Sequence, residues 1–239
     1  MTVLLVAAIL ALAGFVHGML GFGTALVAMP LLSLFIAPAT ATPLVCFAML
    51  TVIVVILGRG WRGVNVAAAW RLLIGSVVGL PIGLGVLVYA PEAWVKSVLG
   101  VAVAGLGIYN LRAPMLPRLG SAWAFGAGFV SGVLGGAYNL NAAPAVAFAA
   151  TQGWSSARFH ATLQGYFLPA SILVWVGQGL SGLWTAEGFH YYLVALPGLL
   201  LGVYVGQRAA QRLPTSLFER TLNCGLVGMG ILLVASSVR

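Results

Sequence analysis

The chain has 239 residues, of which 62% are hydrophobic and only 6% charged, with a formal net charge of +8. A soluble domain of this length carries about a quarter charged residues, so a soluble globular fold is excluded. The apolar runs do not alternate in polarity, which excludes a membrane β-barrel, and the expected fold class is an all-α polytopic membrane protein.

Apolar runs divided by charged or turn-rich breaks give ten segments: 2–20, 24–37, 41–58, 66–90, 95–111, 121–136, 140–151, 159–178, 188–206 and 217–237. Most are long enough to cross a bilayer core, so about 8–10 transmembrane segments are expected. The first, "MTVLLVAAILALAG", has no basic residue before its apolar run, unlike a signal peptide, and is read as a transmembrane helix. The second and seventh are short, and each follows a glycine cluster.

That coincidence marks an internal repeat. "GFVHGMLGFGTALVAMP" (14–30) aligns with "GFVSGVLGGAYNLNAAP" (128–144) at an offset of 114 residues, with nine of seventeen positions identical. The matches include Gly18/Gly132, Gly21/Gly135 and Pro30/Pro144, and chance similarity between apolar helices rarely aligns Gly and Pro. The expected organisation is an N-terminal membrane repeat (1–113), a linker (114–120) and a C-terminal repeat (121–239), together forming one membrane domain.

Arginine placement orients the halves, because cytoplasmic loops collect Lys and Arg. Arg59, Arg62 and Arg71 lie near one loop of the first half, whereas the counterpart near 178–187 has only Glu187. The loop at 91–96 has Glu92 and Lys96, and its counterpart has Arg208, Arg212 and Arg220. With Arg112 and Arg118 in the linker region, the bias swaps, so two inverted tandem repeats are expected. Inverted repeats with glycine-broken helices at the midplane characterise many secondary transporters. Backbone freed by such a break must line a cavity or be buried in protein. The short helix that follows presents a positive dipole end suited to an anion.

The candidate site residues follow from this placement. Gly21, Gly23 and Thr24 belong to the first break, and Gly136, Tyr138, Asn139 and Asn141 to the second. The outer glycines, Gly14/Gly18 and Gly128/Gly132, are read as close-packing GxxxG pairs instead. Arg158 has two readings, a topological anchor or a guanidinium guide for an oxyanion. Gln164 lies about one and a half turns deeper and is expected to face elsewhere. His17, just before the first break, is the candidate proton-coupling residue, since histidine titrates near neutrality; simple packing is its alternative. Trp61, Trp94, Trp154 and Trp184 are placed as an interfacial belt.

The residues "GMLGFGTALVAMP", "GVLGGAYNLNAAP", "APATATPLVCF" and "GWSSARFHATLQGYFLPAS" resemble the sulfite exporter TauE/SafE family, also called the toluene-sulfonate uptake permease family. The resemblance covers nearly the whole chain. Family members have an Asn-x-x-Gly-Pro-Pro-like run at the second break, where this chain reads "NLNAAP". The resemblance implies an integral permease of a bacterial-type inner membrane that moves sulfite, sulfonates or related sulfur-containing organic anions.

The expected function is therefore secondary transport of a small anion, with a passive anion channel or a non-transporting docking subunit as alternatives. The only expected partners are the anionic substrate and the lipid bilayer; nucleic acid is not one, and assembly into a homo-oligomer stays open. No catalytic set, metal site or cofactor is expected: Glu92, Glu187 and Glu219 all fall in or beside loops, and no nucleotide fingerprint is present. Cys46 and Cys224 sit in apolar runs as small hydrophobes.

Overall fold

The computed structural model describes residues 2–57, 63–112, 117–212 and 215–237. Arg59 and Arg62, used above for orientation, and Trp61 of the expected aromatic belt lie outside them. Among the described residues the secondary structure is ten α-helices in chain order: α1 (Thr2–Leu20), α2 (Thr24–Leu32), α3 (Pro38–Leu57), α4 (Val66–Tyr89), α5 (Glu92–Arg112), α6 (Trp123–Tyr138), α7 (Ala142–Ala150), α8 (Ser156–Leu180), α9 (Ala186–Ala210) and α10 (Thr215–Ser237). Six of them, α1, α3, α4, α5, α9 and α10, are long and apolar enough to cross a membrane. Only helices satisfy every backbone polar group within their own segment, which is why this solvent selects them.

The helices pack as two compact units. One comprises Met1–Ala48, Tyr89–Pro114 and Trp184–Arg239, the other Met49–Val88 and Met115–Leu183. Each draws helices from both halves of the sequence.

In the first unit α1 and α9 lie together along their length. Gly14 and Gly18 sit against the backbones of Leu199 and Val203, and Gly202 and Gly206 against those of Ala11 and Phe15. Both numberings rise together, so the helices are parallel. Lipid tails supply no hydrophobic drive between helices, and close backbone approach at small residues supplies the attraction instead. The helices α5 and α10 pair the opposite way. Gly100 meets Gly230, Gly107 meets Asn223, and Asn110 Nδ2 donates to Asn223 Oδ1 at 3.1 Å, an antiparallel register. Phe47 packs among Trp184, Phe189 and Tyr192 in the same unit.

The second unit is built on three parallel helices. Gly75, Gly79 and Gly83 of α4 step along the Phe125–Ala137 backbone of α6, and Gly128, Gly132 and Gly136 step back along Leu72–Leu84. At the start of α4, Asn65 N–H donates to Thr162 Oγ1 of α8 at 2.9 Å. Further along, Gly177 of α8 meets Leu80 and Leu84. Ser76 joins all three helices, its hydroxyl donating to the Gly128 carbonyl at 2.9 Å and lying 2.7 Å from Tyr166 Oη.

Because α6 and α8 run the same way with only α7 between them, α7 runs back. Its end is tied to the start of the α6 hairpin: Leu119 N–H donates to Thr151 Oγ1 at 3.4 Å, and Gln152 Nε2 to Leu119 O at 3.0 Å. The pair α6–α7 thus enters and leaves at one end as a re-entrant hairpin. The 16 residues of α6 rise about 24 Å, less than a hydrocarbon core of about 30 Å. A helix of that length entering from one membrane face would end within the core.

Candidate functional site

The first break lies in the first unit. Helix α1 ends at Leu20, and the chain turns on Gly21 (φ 80°) and Gly23 (φ 113°) before α2 begins at Thr24. A side chain disfavours both backbone conformations, so glycine is the residue that makes this turn. Thr24 is buried, and its Oγ1 lies 2.6 Å from Nδ1 of the buried His17. That bond bridges the break, so His17 packs against the residue that opens α2. Gly21 N–H donates to His17 O at 2.7 Å, extending α1 by one bond. All nine residues of α2 except Leu31 are buried.

The second break lies in the second unit. Helix α6 ends at Tyr138, and Asn139 adopts the left-handed conformation with φ 57°. Asn is one of the few side chains that visit this region routinely. Asn139 N–H donates to Gly135 O at 2.9 Å and Leu140 N–H to Leu134 O at 3.1 Å, which closes α6. Helix α7 then starts from Asn141 with no side chain capping its first amides.

Buried amides gather at this turn. Tyr138, Asn139 and Asn141 are at most 2% exposed, and so is Gln178 of α8. Gln178 Nε2 donates to Asn139 Oδ1 at 3.3 Å, whereas Gln178 Oε1 and Asn141 Oδ1 have no hydrogen-bond partner among the described residues. Gly136 packs on the Leu80 carbonyl of α4, holding the turn against that helix. Buried amide oxygens left without partners are costly, so the site is chemically prepared for a ligand or water. Amide N–H donors and the start of α7 suit an oxyanion, and the amide oxygens suit an O–H on that ligand.

Arg158 is not with them. It lies in the first turn of α8, twenty residues before Gln178, about 30 Å along the helix. There it lines a cavity of about 470 Å³ together with Arg71 of α4 and Arg118 of the linker. Within the second unit the structure thus gathers Gly136, Tyr138, Asn139 and Asn141 and sets Arg158 apart; Gly21, Gly23, Thr24 and His17 gather in the first unit. Glu92 and Glu187 sit in the first turns of α5 and α9, paired with Lys96 at 2.7 Å and with Tyr191 Oη at 2.6 Å. Gln178 was not a sequence candidate. Its only sequence signal is a glutamine in the last turn of an apolar segment, and its partner is 39 residues away.

A polytopic helical protein whose backbone breaks around buried polar groups has the architecture of membrane transporters and channels. The chain belongs to the sulfite exporter TauE/SafE family, whose model matches residues 6–233. It is a permease of that type and not an enzyme. It is also 28% identical over 177 residues to the probable inner membrane transporter protein TsaS of Comamonas testosteroni, covering 73% of this chain and 74% of that one. No solved structure matches it significantly.

Proposed function

We propose that the chain is a secondary permease of the inner membrane for a small anion, sulfite or another sulfur-containing oxyanion or an organosulfonate. The observation that carries this reading is the second break. A helix start without a side-chain cap and the three buried amides of Asn139, Asn141 and Gln178 lie there, and none of these residues is charged. Neutral amides, which offer both donors and acceptors, replace part of an anion's hydration without trapping it by a full opposite charge. Release therefore stays fast enough for turnover.

The substrate-binding residues at that break are Gly136, Tyr138, Asn139 and Asn141, to which Gln178 is added. Gly21, Gly23 and Thr24 form the corresponding element at the first break, with His17 as the proton-coupling candidate. Equivalent helices of two inverted repeats run antiparallel when they pack on each other, and the pairing of α5 with α10 supports that relation. The family description and the transporter named above support the substrate class.

The test is uptake by the purified protein in proteoliposomes, with sulfite, thiosulfate, an aryl sulfonate and a carboxylate offered in turn. Saturable uptake of the sulfur oxyanions over the carboxylate is expected. Equal uptake of all four, or of the carboxylate alone, would contradict the substrate class.

A further inference from the structure

The cavity at the opposite end of the second unit has no part in the transport reading. It is lined by Arg71, Arg118 and Arg158 and by Asn65, Gln152 and Ser155, with Phe148 and Trp154 beside them. Three arginines line one cavity, and the unit's sequence, residues 49–88 and 115–183, contains no Asp or Glu to balance them. Arginines that serve only as topological anchors need no shared cavity, because each can reach the headgroups separately.

The fold adds to the charge. Residues at the starts of α4, α6 and α8 line the cavity. These three helices are parallel, so three positive dipole ends point at one space. Asn65 Oδ1 accepts from Ala68 N–H at 3.4 Å and Ser155 Oγ from Arg158 N–H at 3.5 Å, so α4 and α8 contribute field more than open donors. The bonds from Leu119 and Gln152 across the base of the hairpin fix the linker backbone that carries Arg118. The volume exceeds the need of a bare ion and falls in the range of small-molecule pockets, about 300–1,000 Å³.

We infer that this cavity is a second anion site, which takes a phosphate or sulfonate oxyanion through bidentate arginine contacts. That chemistry is offered both by an anionic lipid headgroup and by a soluble oxyanion. The inference stands whether or not the break at Asn139 binds substrate.

The experiment is a titration of thermal unfolding, followed by tryptophan fluorescence, on the purified protein in neutral detergent at fixed ionic strength. One arm adds inorganic phosphate; the other adds phosphatidylglycerol to the micelles, with phosphatidylcholine as its control. The variants are Arg118→Gln, Arg118→Lys and the double Arg71→Gln/Arg158→Gln, against a control double, Arg208→Gln/Arg212→Gln, that removes two charges from the other unit.

Stabilisation of the parent is expected. Its midpoint should rise about tenfold or more in Arg118→Gln, as loss of a charged hydrogen bond requires, with little change in the control double. A response in the lipid arm alone identifies a headgroup, and a response to phosphate identifies a soluble oxyanion; either supports the site. No stabilisation in either arm, or equal weakening in pocket and control variants, overturns it. Should Arg118→Gln fail to fold, Arg118→Lys keeps the charge but loses the bidentate fork. An unchanged midpoint in Arg118→Lys would overturn the arginine geometry.

Discussion

Replacing Asn139 with alanine removes a backbone preference and a side-chain bond together, whereas glycine removes only the bond. Asn139 holds φ 57°, a conformation that costs an ordinary L residue roughly 1–2 kcal/mol. Its Oδ1 accepts from Gln178 Nε2 at 3.3 Å, with both residues buried. Such a bond contributes about 0.5–1.5 kcal/mol, and a buried amide left without its partner costs about 1–3 kcal/mol. Asn139→Gly is therefore expected to lose about 1–3 kcal/mol. Asn139→Ala should lose roughly 1 kcal/mol more, after glycine's own entropic cost of roughly 0.5–1 kcal/mol is set against the strain. Unfolding midpoints in one detergent measure both, and a cycle with Gln178→Met isolates the pair, with an expected coupling of about 1 kcal/mol. Equal stability of the glycine and alanine variants would refute the left-handed turn. Strict additivity with Gln178→Met would refute the amide bond. In transport, both Asn139 variants should raise the half-saturating substrate concentration about tenfold.

Gly79→Ala places a methyl against the Phe129 carbonyl of α6 and should destabilise by about 1–3 kcal/mol. Gly126→Ala meets nothing within 4 Å and should be neutral or stabilising; the reverse order in thermal unfolding would contradict the α4–α6 packing. Thr24→Val removes the partner of His17 Nδ1 and should cost about 1–3 kcal/mol, read from the same unfolding measurement. His17→Gln should abolish accumulation driven by a pH gradient in proteoliposomes while keeping counterflow, and full accumulation would remove His17 from coupling. In a chain lacking Cys46 and Cys224, cysteines at Ser121 and Ser156 should label from one face and at Ser181 from the other; Ser121 and Ser156 on opposite faces would refute the re-entrant hairpin.

The breaks were legible in the sequence because glycine, asparagine and proline act on the backbone itself. Gly21, Gly23 and Asn139 mark the two turns by local conformation alone, and the helix ends around them fall within a few residues of expectation. Helix α8 begins earlier than its apolar run because Ser155 caps Arg158 N–H, a local signal that hydrophobicity does not register. That is why Arg158 lies inside the helix. Two features lay beyond sequence reading. Gln178 reaches Asn139 only because α6 and α8 are parallel, and the cavity joins Arg71, Arg118 and Arg158 from three separate stretches of chain. The return of α7 is likewise a tertiary fact: the shortness of segment 140–151 does not say whether it crosses or turns back, and the bonds between Leu119 and residues 151–152 fix both ends together.

The most direct test of the permease reading is counterflow. Purified protein is reconstituted alone into liposomes loaded with unlabelled sulfite, and entry of labelled sulfite is followed at trace external concentration. A transient, saturable overshoot is predicted, reduced in rate by Asn139→Gly and competed by an aryl sulfonate. Entry that follows the electrical gradient without overshoot would identify a channel, and no entry beyond protein-free liposomes would contradict the transport of sulfite by this chain.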